Sequence, residues 1–93
     1  MKYLIVEPLR KNKKYSVIVY KYGRWHYLLS FGQLRNANGD YYEHYKDVTP
    51  LQLYSDLNHN DKNRRRLYYA RHGKTNNKNS ATYWSNKYLW PLN

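Results

Sequence analysis

The chain has 93 residues, no cysteine, and 17 Lys and Arg residues against 6 Asp and Glu residues, which gives a formal charge of +11. Without cysteine it can form neither disulfides nor thiolate metal sites. No stretch approaches the roughly 18 apolar residues that a membrane-spanning helix requires, so we expect no membrane segment. The length predicts one domain, residues 1–93. Its core must be largely aromatic, since the sequence contains 13 Tyr, 3 Trp and 1 Phe.

Three apolar stretches near the N-terminus predict an antiparallel meander of short strands. Residues 2–7 hold a contiguous Leu-Ile-Val run that ends at Pro8, so we interpret them as a strand and not as a signal peptide. Residues 15–22 and 25–32 alternate apolar and polar positions around a turn at Gly23. Strict alternation predicts one shared face for Tyr15, Val17 and Val19, and another for Trp25, Tyr27, Leu29 and Phe31.

The middle of the chain gives weaker signals. Residues 41–47 are compatible with a fourth strand at the sheet edge or with a loop. Thr49 is a good N-cap residue, and Pro50 fits the first position of a helix. These two residues predict a short helix over residues 50–57.

Two further helices are predicted towards the C-terminus. A helix over residues 61–72 would begin at Asp61, because the helix dipole favours an anion at this end. A last helix over residues 82–90 would be capped by Ser80 or Thr82. The sequence thus predicts a small α+β domain, with an antiparallel sheet of three to four strands packed against two to three short helices.

Cationic residues are concentrated in two stretches. Residues 10–14 contain four Lys and Arg, and residues 58–79 contain seven against the single carboxylate of Asp61. Residues 36–57 instead contain four acidic side chains and one lysine. Such an uneven distribution indicates a binding face, and an acidic polymer would relieve the repulsion among the cations.

Helical spacing divides the basic residues of the 61–72 segment into two groups. Leu67 and Ala70, with the aliphatic stem of Arg64, are expected to face inwards beside Tyr68. The side chains expected to face outwards are Lys62, Arg65, Arg66 and Tyr69.

Several short motifs follow one another in order along residues 13–90. They are KKYSV at 13–17, Phe31-Gly32, His59-x-Asp61-x-x-Arg64, Tyr68-x-x-Arg71-His72, Trp84-Ser85 and Leu89-Trp90. With these motifs the chain resembles a family of small basic proteins encoded by large DNA viruses of algae and amoebae. The resemblance implies a viral protein of the virion, or otherwise of the host cytoplasm or nucleus. It also suggests a role in genome packaging or in virion structure.

Two features depart from the family pattern. The segment between Gly32 and His59 is longer than in the family and includes an extra stretch at 48–58. The family has Asp-Tyr-Thr just before the histidine, whereas residues 55–58 of this chain are Ser-Asp-Leu-Asn. Roles that depend on this segment therefore do not transfer to this chain.

The two histidines that bracket the arginine run admit two interpretations. With Asp61, His59 and His72 could hold a catalytic metal for a small nuclease, although the surrounding cations would oppose a dication. The sequence contains no phosphate-binding glycine loop and no nucleophile arrangement. We therefore predict a non-enzymatic protein with no catalytic residue, no metal site and no cofactor. The structural interpretation assigns helix capping and packing to His59, Asp61, Tyr68, His72, Trp84 and Trp90.

We predict that the protein binds nucleic acid, with double-stranded DNA as the partner, through sequence-independent phosphate contacts. Arginine matches phosphate oxygens with two parallel hydrogen bonds, and such contacts give salt-sensitive affinity. The alternative is a virion protein that binds capsid or core proteins, and self-association into a homo-oligomer is left open. The predicted phosphate contacts are Lys11, Lys13, Lys14, Lys62, Arg64, Arg65, Arg66, Arg71, Lys74 and Lys78.

Overall fold

A computed structural model describes residues 1–92 of the chain. The N-terminal third forms an antiparallel sheet of β1 (Lys2–Val6), β2 (Lys13–Lys21) and β3 (Arg24–Gln33), in the order β1-β2-β3. Two helices follow, α1 (Lys62–His72) and α2 (Ala81–Tyr88). This architecture confirms the predicted α+β class. Within the described residues, no helix is long and apolar enough to cross a membrane.

The pairing between β2 and β3 contains an irregularity that changes the predicted faces of β3. Val17 pairs with Leu29, whereas the next residue of β2 pairs with Tyr27, so that Leu28 is an extra residue. An extra residue in one strand inverts the alternation of side chains beyond it. The prediction that Trp25 and Tyr27 share the face of Leu29 is therefore wrong, because both lie on the outer face of the sheet.

The core lies between the inner face of the sheet and the C-terminal part of the chain. Tyr15, Val17 and Phe31 have at most 1% of their surface exposed. The rings of Tyr15 and Phe31 stack with their centroids 5.7 Å apart. Trp84 of α2 and Leu89 complete this buried cluster. Each such side chain contributes about 1.5–3 kcal/mol when it is fully buried.

The predicted helix over residues 50–57 does not form, and only a 3₁₀ turn at Ser55–Leu57 is present there. The Thr49 hydroxyl does accept a hydrogen bond from the amide of Gln52 at 3.0 Å, as an N-cap would. However, Gln52 has a φ of +48°, which a right-handed helix cannot include. The same Thr49 hydroxyl donates to the carboxylate of Asp47 at 2.7 Å. This contact holds the chain in a turn.

Residues 41–47 form a loop with isolated bridges and not a fourth strand. Backbone bonds nevertheless fix this loop between two other segments. On one side, the amide of His44 donates to the carbonyl of Leu57 at 3.2 Å. On the other side, the amide of Lys46 donates to Leu89 and that of Val48 to Tyr88, both at 3.0 Å. The loop therefore links the start of α1 to the end of α2.

The predicted cap residues lie at the ends of both helices. The carboxylate of Asp61 accepts hydrogen bonds from two backbone amides in the first turn of α1. The amide of Gly73 closes this helix by donating to the carbonyl of Tyr69 at 2.8 Å. Of the two candidates for α2, Ser80 is the N-cap, and its hydroxyl accepts from the amide of Thr82.

Gly32 lies where β3 comes into close contact with the residue that follows α2. Its φ is +75°, a backbone conformation that residues with a Cβ atom rarely adopt. A Cβ atom at this position would be 2.7 Å from Cδ1 of Leu89 and 3.2 Å from Cβ of Lys14. Both the conformation and the packing therefore require glycine.

We expect Gly32→Ala to lower the free energy of unfolding by roughly 2–4 kcal/mol, because backbone strain and overpacking add. Gly39→Ala is the matched control, since Gly39 also has a positive φ of +83° but no atom within 4 Å of a Cβ. Gly39→Ala should lower the free energy of unfolding only through backbone strain, by about 1–2 kcal/mol. Urea unfolding of both variants measures the difference, and equal losses would contradict the close contact with Leu89.

Candidate nucleic-acid interface

A cleft of about 430 Å³ opens between the sheet and the C-terminal half of the chain. The sheet contributes Lys13 at the start of β2 and Gln33 at the end of β3. The opposite side includes Tyr68 and Arg71 of α1 and Ser85 of α2. The cleft is thus a concave surface to which four of the five regular elements, or their ends, contribute.

Both basic clusters of the sequence reach this cleft. Lys13 belongs to the 10–14 cluster, Arg71 belongs to the 58–79 cluster, and both line the same cavity. Glu43 is the acidic side chain among the lining residues, and Arg64 Nη1 donates to its Oε1 at 2.9 Å. This bond lowers the pKa of Glu43 and leaves its charge already compensated. The cleft therefore presents a net positive charge.

Lys14, one of the predicted phosphate contacts, is buried, with 2% of its surface exposed. Its Nζ donates to the carbonyl of Tyr42 and to Nδ1 of His44, each at 2.8 Å. Burial lowers the pKa of Lys14 to about 8, although the carboxylates of Asp47 and Glu43 oppose the shift. The ammonium group is thus engaged inside the protein, and Lys14 is not part of a surface track.

His44 lies beside Lys14 and is 1% exposed. Because its Nδ1 accepts a hydrogen bond from the Lys14 ammonium, its Nε2 must carry the hydrogen that is donated to Oδ1 of Asn58 at 2.7 Å. Burial, and next the positive charge of Lys14, lower the pKa of His44 to about 4. The ring is therefore neutral at physiological pH and bridges the sheet to the loop.

Asp47 is the centre of this buried network, and sequence reasoning did not single it out. Its carboxylate accepts hydrogen bonds from the hydroxyl of Tyr15, the amide and hydroxyl of Thr49, and the amide of Tyr54. Its own amide donates to Oδ1 of Asn58 at 2.8 Å. The one local signal was an acid two residues before a threonine, a spacing that favours such turns. The contact with Tyr15 spans 32 positions and leaves no mark in the sequence.

The predicted division of the α1 side chains is only partly correct. Lys62 and Arg66 are exposed and Tyr68 is buried as expected, but Arg64, whose stem was expected to face inwards, is exposed. Leu67, expected to face inwards, is 51% exposed, and Ala70 is exposed as well. Arg65, expected to face outwards, is half-buried, and its guanidinium lies 4.3 Å from the ring centroid of Tyr45. Its Nη1 also donates to a backbone carbonyl beyond α2 at 2.8 Å. The inner face consists of residues 65, 68 and 69, because the two tyrosine rings offer more area to bury than Leu67.

The remaining predicted contacts lie on the surface but outside the cleft. Arg66 donates to Oδ1 of Asn63 at 2.9 Å within its own helix. Lys78 lies 5.3 Å from the ring centroid of Tyr3. Lys74 borders a second cavity, of about 340 Å³, beyond the end of α1. The exposed residues of this group are Lys11, Lys62, Arg64, Arg66, Lys74 and Lys78.

The residues around His59 have the structural contacts that one of the two interpretations predicts. Nδ1 of His59 accepts a hydrogen bond from the amide of Asp61 at 2.9 Å. The centroid of the His59 ring lies 5.2 Å from that of Trp90. The ring of Tyr68 stacks on Trp90 at 4.3 Å, and that of His72 lies 4.5 Å from Tyr68. Within residues 1–92, no three His, Asp or Glu side chains are arranged to hold a metal ion.

Comparison with known proteins does not assign the chain to a family. No protein-family model, no curated protein and no solved structure matches it. The resemblance to small basic viral proteins therefore stays a prediction from the ordered motifs of residues 13–90.

We expect acid to destabilise the protein through His44, whose folded pKa of about 4 lies below the ordinary value of 6.5. The unfolded chain binds a proton in this window and the folded chain does not, so stability is full above pH 6.5 and falls as the pH drops towards 4. The lowered pKa values of His59 and His72 act in the same direction. An NMR titration of the imidazole signals tests this, and a His44 midpoint near 6.5 would contradict the buried network.

We expect Asp47→Ala to lower the free energy of unfolding by roughly 3–5 kcal/mol, because several buried donors lose a charged acceptor. Asp56→Ala is the matched control, since it removes the same charge from an exposed turn residue and should cost less than about 0.5 kcal/mol. Chemical unfolding gives both values. Similar losses in the two variants would show that Asp47 acts only through the net charge.

Proposed function

We propose that the protein binds nucleic acid without sequence specificity and that the cleft of Lys13 and Arg71 is its centre of phosphate contact. The supporting observation is that two basic clusters, distant in sequence, supply cations to one concave surface. The planar guanidinium of Arg71 is suited to two phosphate oxygens, and the Lys13 ammonium adds a point charge. A concave surface of one sign also concentrates the electrostatic field.

The charge balance of the whole domain supports the same proposal. Within residues 1–92, Arg64 and Glu43 form the one ion pair, although the sequence has 17 Lys and Arg. Most cations thus have no acidic partner in the fold. Uncompensated surface charge destabilises a compact state, and a polyanion would remove that repulsion by releasing its counterions.

Double-stranded DNA is the proposed polymer. The further step, compaction or packaging of a viral genome, is supported only by the family resemblance. A role as a virion protein that binds other proteins is the competing proposal. The salt dependence of DNA binding distinguishes the two functions, because affinity that comes from phosphate contacts falls steeply as the salt concentration rises.

A gel-shift series from about 50 to 200 mM salt with duplexes of unrelated sequence tests the proposal. We expect similar affinities for all duplexes, and a logarithmic salt slope of about −0.9 for each phosphate contact. Absence of binding even at the lowest salt concentration would sink the proposal and favour the protein-binding role.

The cleft itself is tested by the double variant Lys13→Gln/Arg71→Gln. It should weaken duplex binding by about tenfold or more and make the salt slope shallower by about 2, one unit for each lost contact. The control is Lys21→Gln/Arg24→Gln, which removes one lysine and one arginine from paired positions at the other end of the hairpin. An equal loss in the control would show that net charge, and not the cleft, determines binding.

A further inference from the structure

The outer face of the sheet is covered by neither helix. Both helices follow β3 in the chain, and the core that includes α2 lies on the inner face. Near β1, the stretch after Pro8 crosses only one end of the outer face, where the amide of Leu9 donates to Ser16 Oγ at 2.8 Å. The rest carries two rows of paired side chains, Lys2, Tyr20 and Trp25 in one row and Leu4, Ile18 and Tyr27 in the next.

Three aromatic rings of these rows are open to solvent. Tyr20 is 40% exposed, Trp25 is 44% exposed and Tyr27 is 40% exposed. The rings of Tyr20 and Trp25 meet edge to face with centroids 5.2 Å apart, which holds both in place. A cluster of large exposed rings on a rigid sheet is a feature of interaction surfaces and not of ordinary protein surface.

The charge around this face is almost entirely positive. The guanidinium of Arg10 lies 4.2 Å from the ring centroid of Tyr27, and Lys2 belongs to the same row as Tyr20 and Trp25. Apart from Lys13 and Lys14, which belong to the cleft, residues 1–35 contain six Lys and Arg and a single acid, Glu7. A second copy of the chain would bring the same cations against this face. An anionic polymer with flat apolar groups is complementary to it.

From this combination we infer that the outer face of the sheet binds single-stranded nucleic acid by stacking unpaired bases on Trp25, Tyr20 and Tyr27. Lys2 and Arg10 lie where they can contact the flanking phosphates. A duplex hides its base faces, so the rings select unpaired strands, as aromatic residues on other sheet surfaces do. The inference rests on the proposed function in taking nucleic acid as the polymer, but it adds a second site with a different preference.

The experiment compares an oligothymidylate of about 12 nucleotides with a duplex of the same length for the wild type and for Tyr20→Ala/Trp25→Ala. Stacking on each base is worth about 1–3 kcal/mol. We therefore expect the double variant to bind the single strand at least about tenfold more weakly and the duplex within about twofold of wild type. Tyr41→Ala is the matched control, because Tyr41 is an exposed tyrosine of the loop after β3, and it should leave both affinities unchanged.

Tryptophan fluorescence supplies a direct readout of stacking. The single strand should quench the signal of the wild type, and the Trp25→Phe variant should lose this quenching while it retains most of its affinity. Trp84 is only 4% exposed, so it does not report on this face. Trp90 lines the cleft, so any quenching that remains in Trp25→Phe is assigned to the cleft. Thermal unfolding of each variant checks that the fold is intact, as expected for exposed positions.

The outcomes distinguish the two sites. Unchanged single-strand binding by Tyr20→Ala/Trp25→Ala, in a protein whose duplex binding depends on Lys13 and Arg71, overturns this inference and leaves the proposed function standing. A wild type that binds neither polymer overturns both. Self-association of the wild type that the same double variant abolishes assigns the face to a second copy, which also overturns the inference.

Discussion

The carboxylate of Asp47 is the group around which the loop and both helices are arranged. It is buried and accepts four hydrogen bonds, one of them from Tyr15 in the centre of the sheet. A buried carboxylate is tolerated only when its oxygens are satisfied, so residues 47–54 must wrap around it and cannot form a helix. The backbone of this loop then bonds to residues 57 and 88–89, which positions the segment before α1 and the end of α2. The same loop contributes Tyr42, Glu43 and His44 to the cleft, so its conformation also determines that wall of the cleft.

Tyrosine can serve as a core residue here because its hydroxyl groups have partners. The hydroxyl of Tyr68 donates to Oδ1 of Asn86 at 2.7 Å, and that of Tyr69 donates to the carbonyl of Trp90 at 2.6 Å. Each such bond adds about 0.5–1.5 kcal/mol, and a buried hydroxyl without one would cost more than it adds. The rings thus bury apolar area while their hydroxyl groups tie α1 to the segment of Asn86 and Trp90. A chain of this length has a small core and no disulfides, so it depends on side chains that both bury apolar area and form hydrogen bonds.

Local signals predicted what local interactions determine: the three strands, the cap of α1 and the class of the fold. The side chains that approach one another across the fold could not be predicted in this way. Lys13 and Arg71 were both expected to contact phosphate, but only the tertiary structure places them in one cleft. Lys14 is buried against the loop of Tyr42 and His44 while the neighbouring Lys13 is only half-buried, a difference that depends on a contact distant in sequence. In α1, amphipathic Arg65 is half-buried while Leu67 is exposed, so hydrophobicity alone gave the wrong face.

The extra residue at Leu28 joins two parts of the hairpin that obey different constraints. At one end, both turn residues, Tyr22 and Gly23, have positive φ, and this tight turn fixes the pairing of the residues next to it. At the other end, packing of Phe31 against Tyr15 fixes a pairing that differs by one residue. Leu28 absorbs the mismatch and adds local twist. The turn half and the core half of the hairpin can therefore diverge in sequence independently, since neither sets the register of the other.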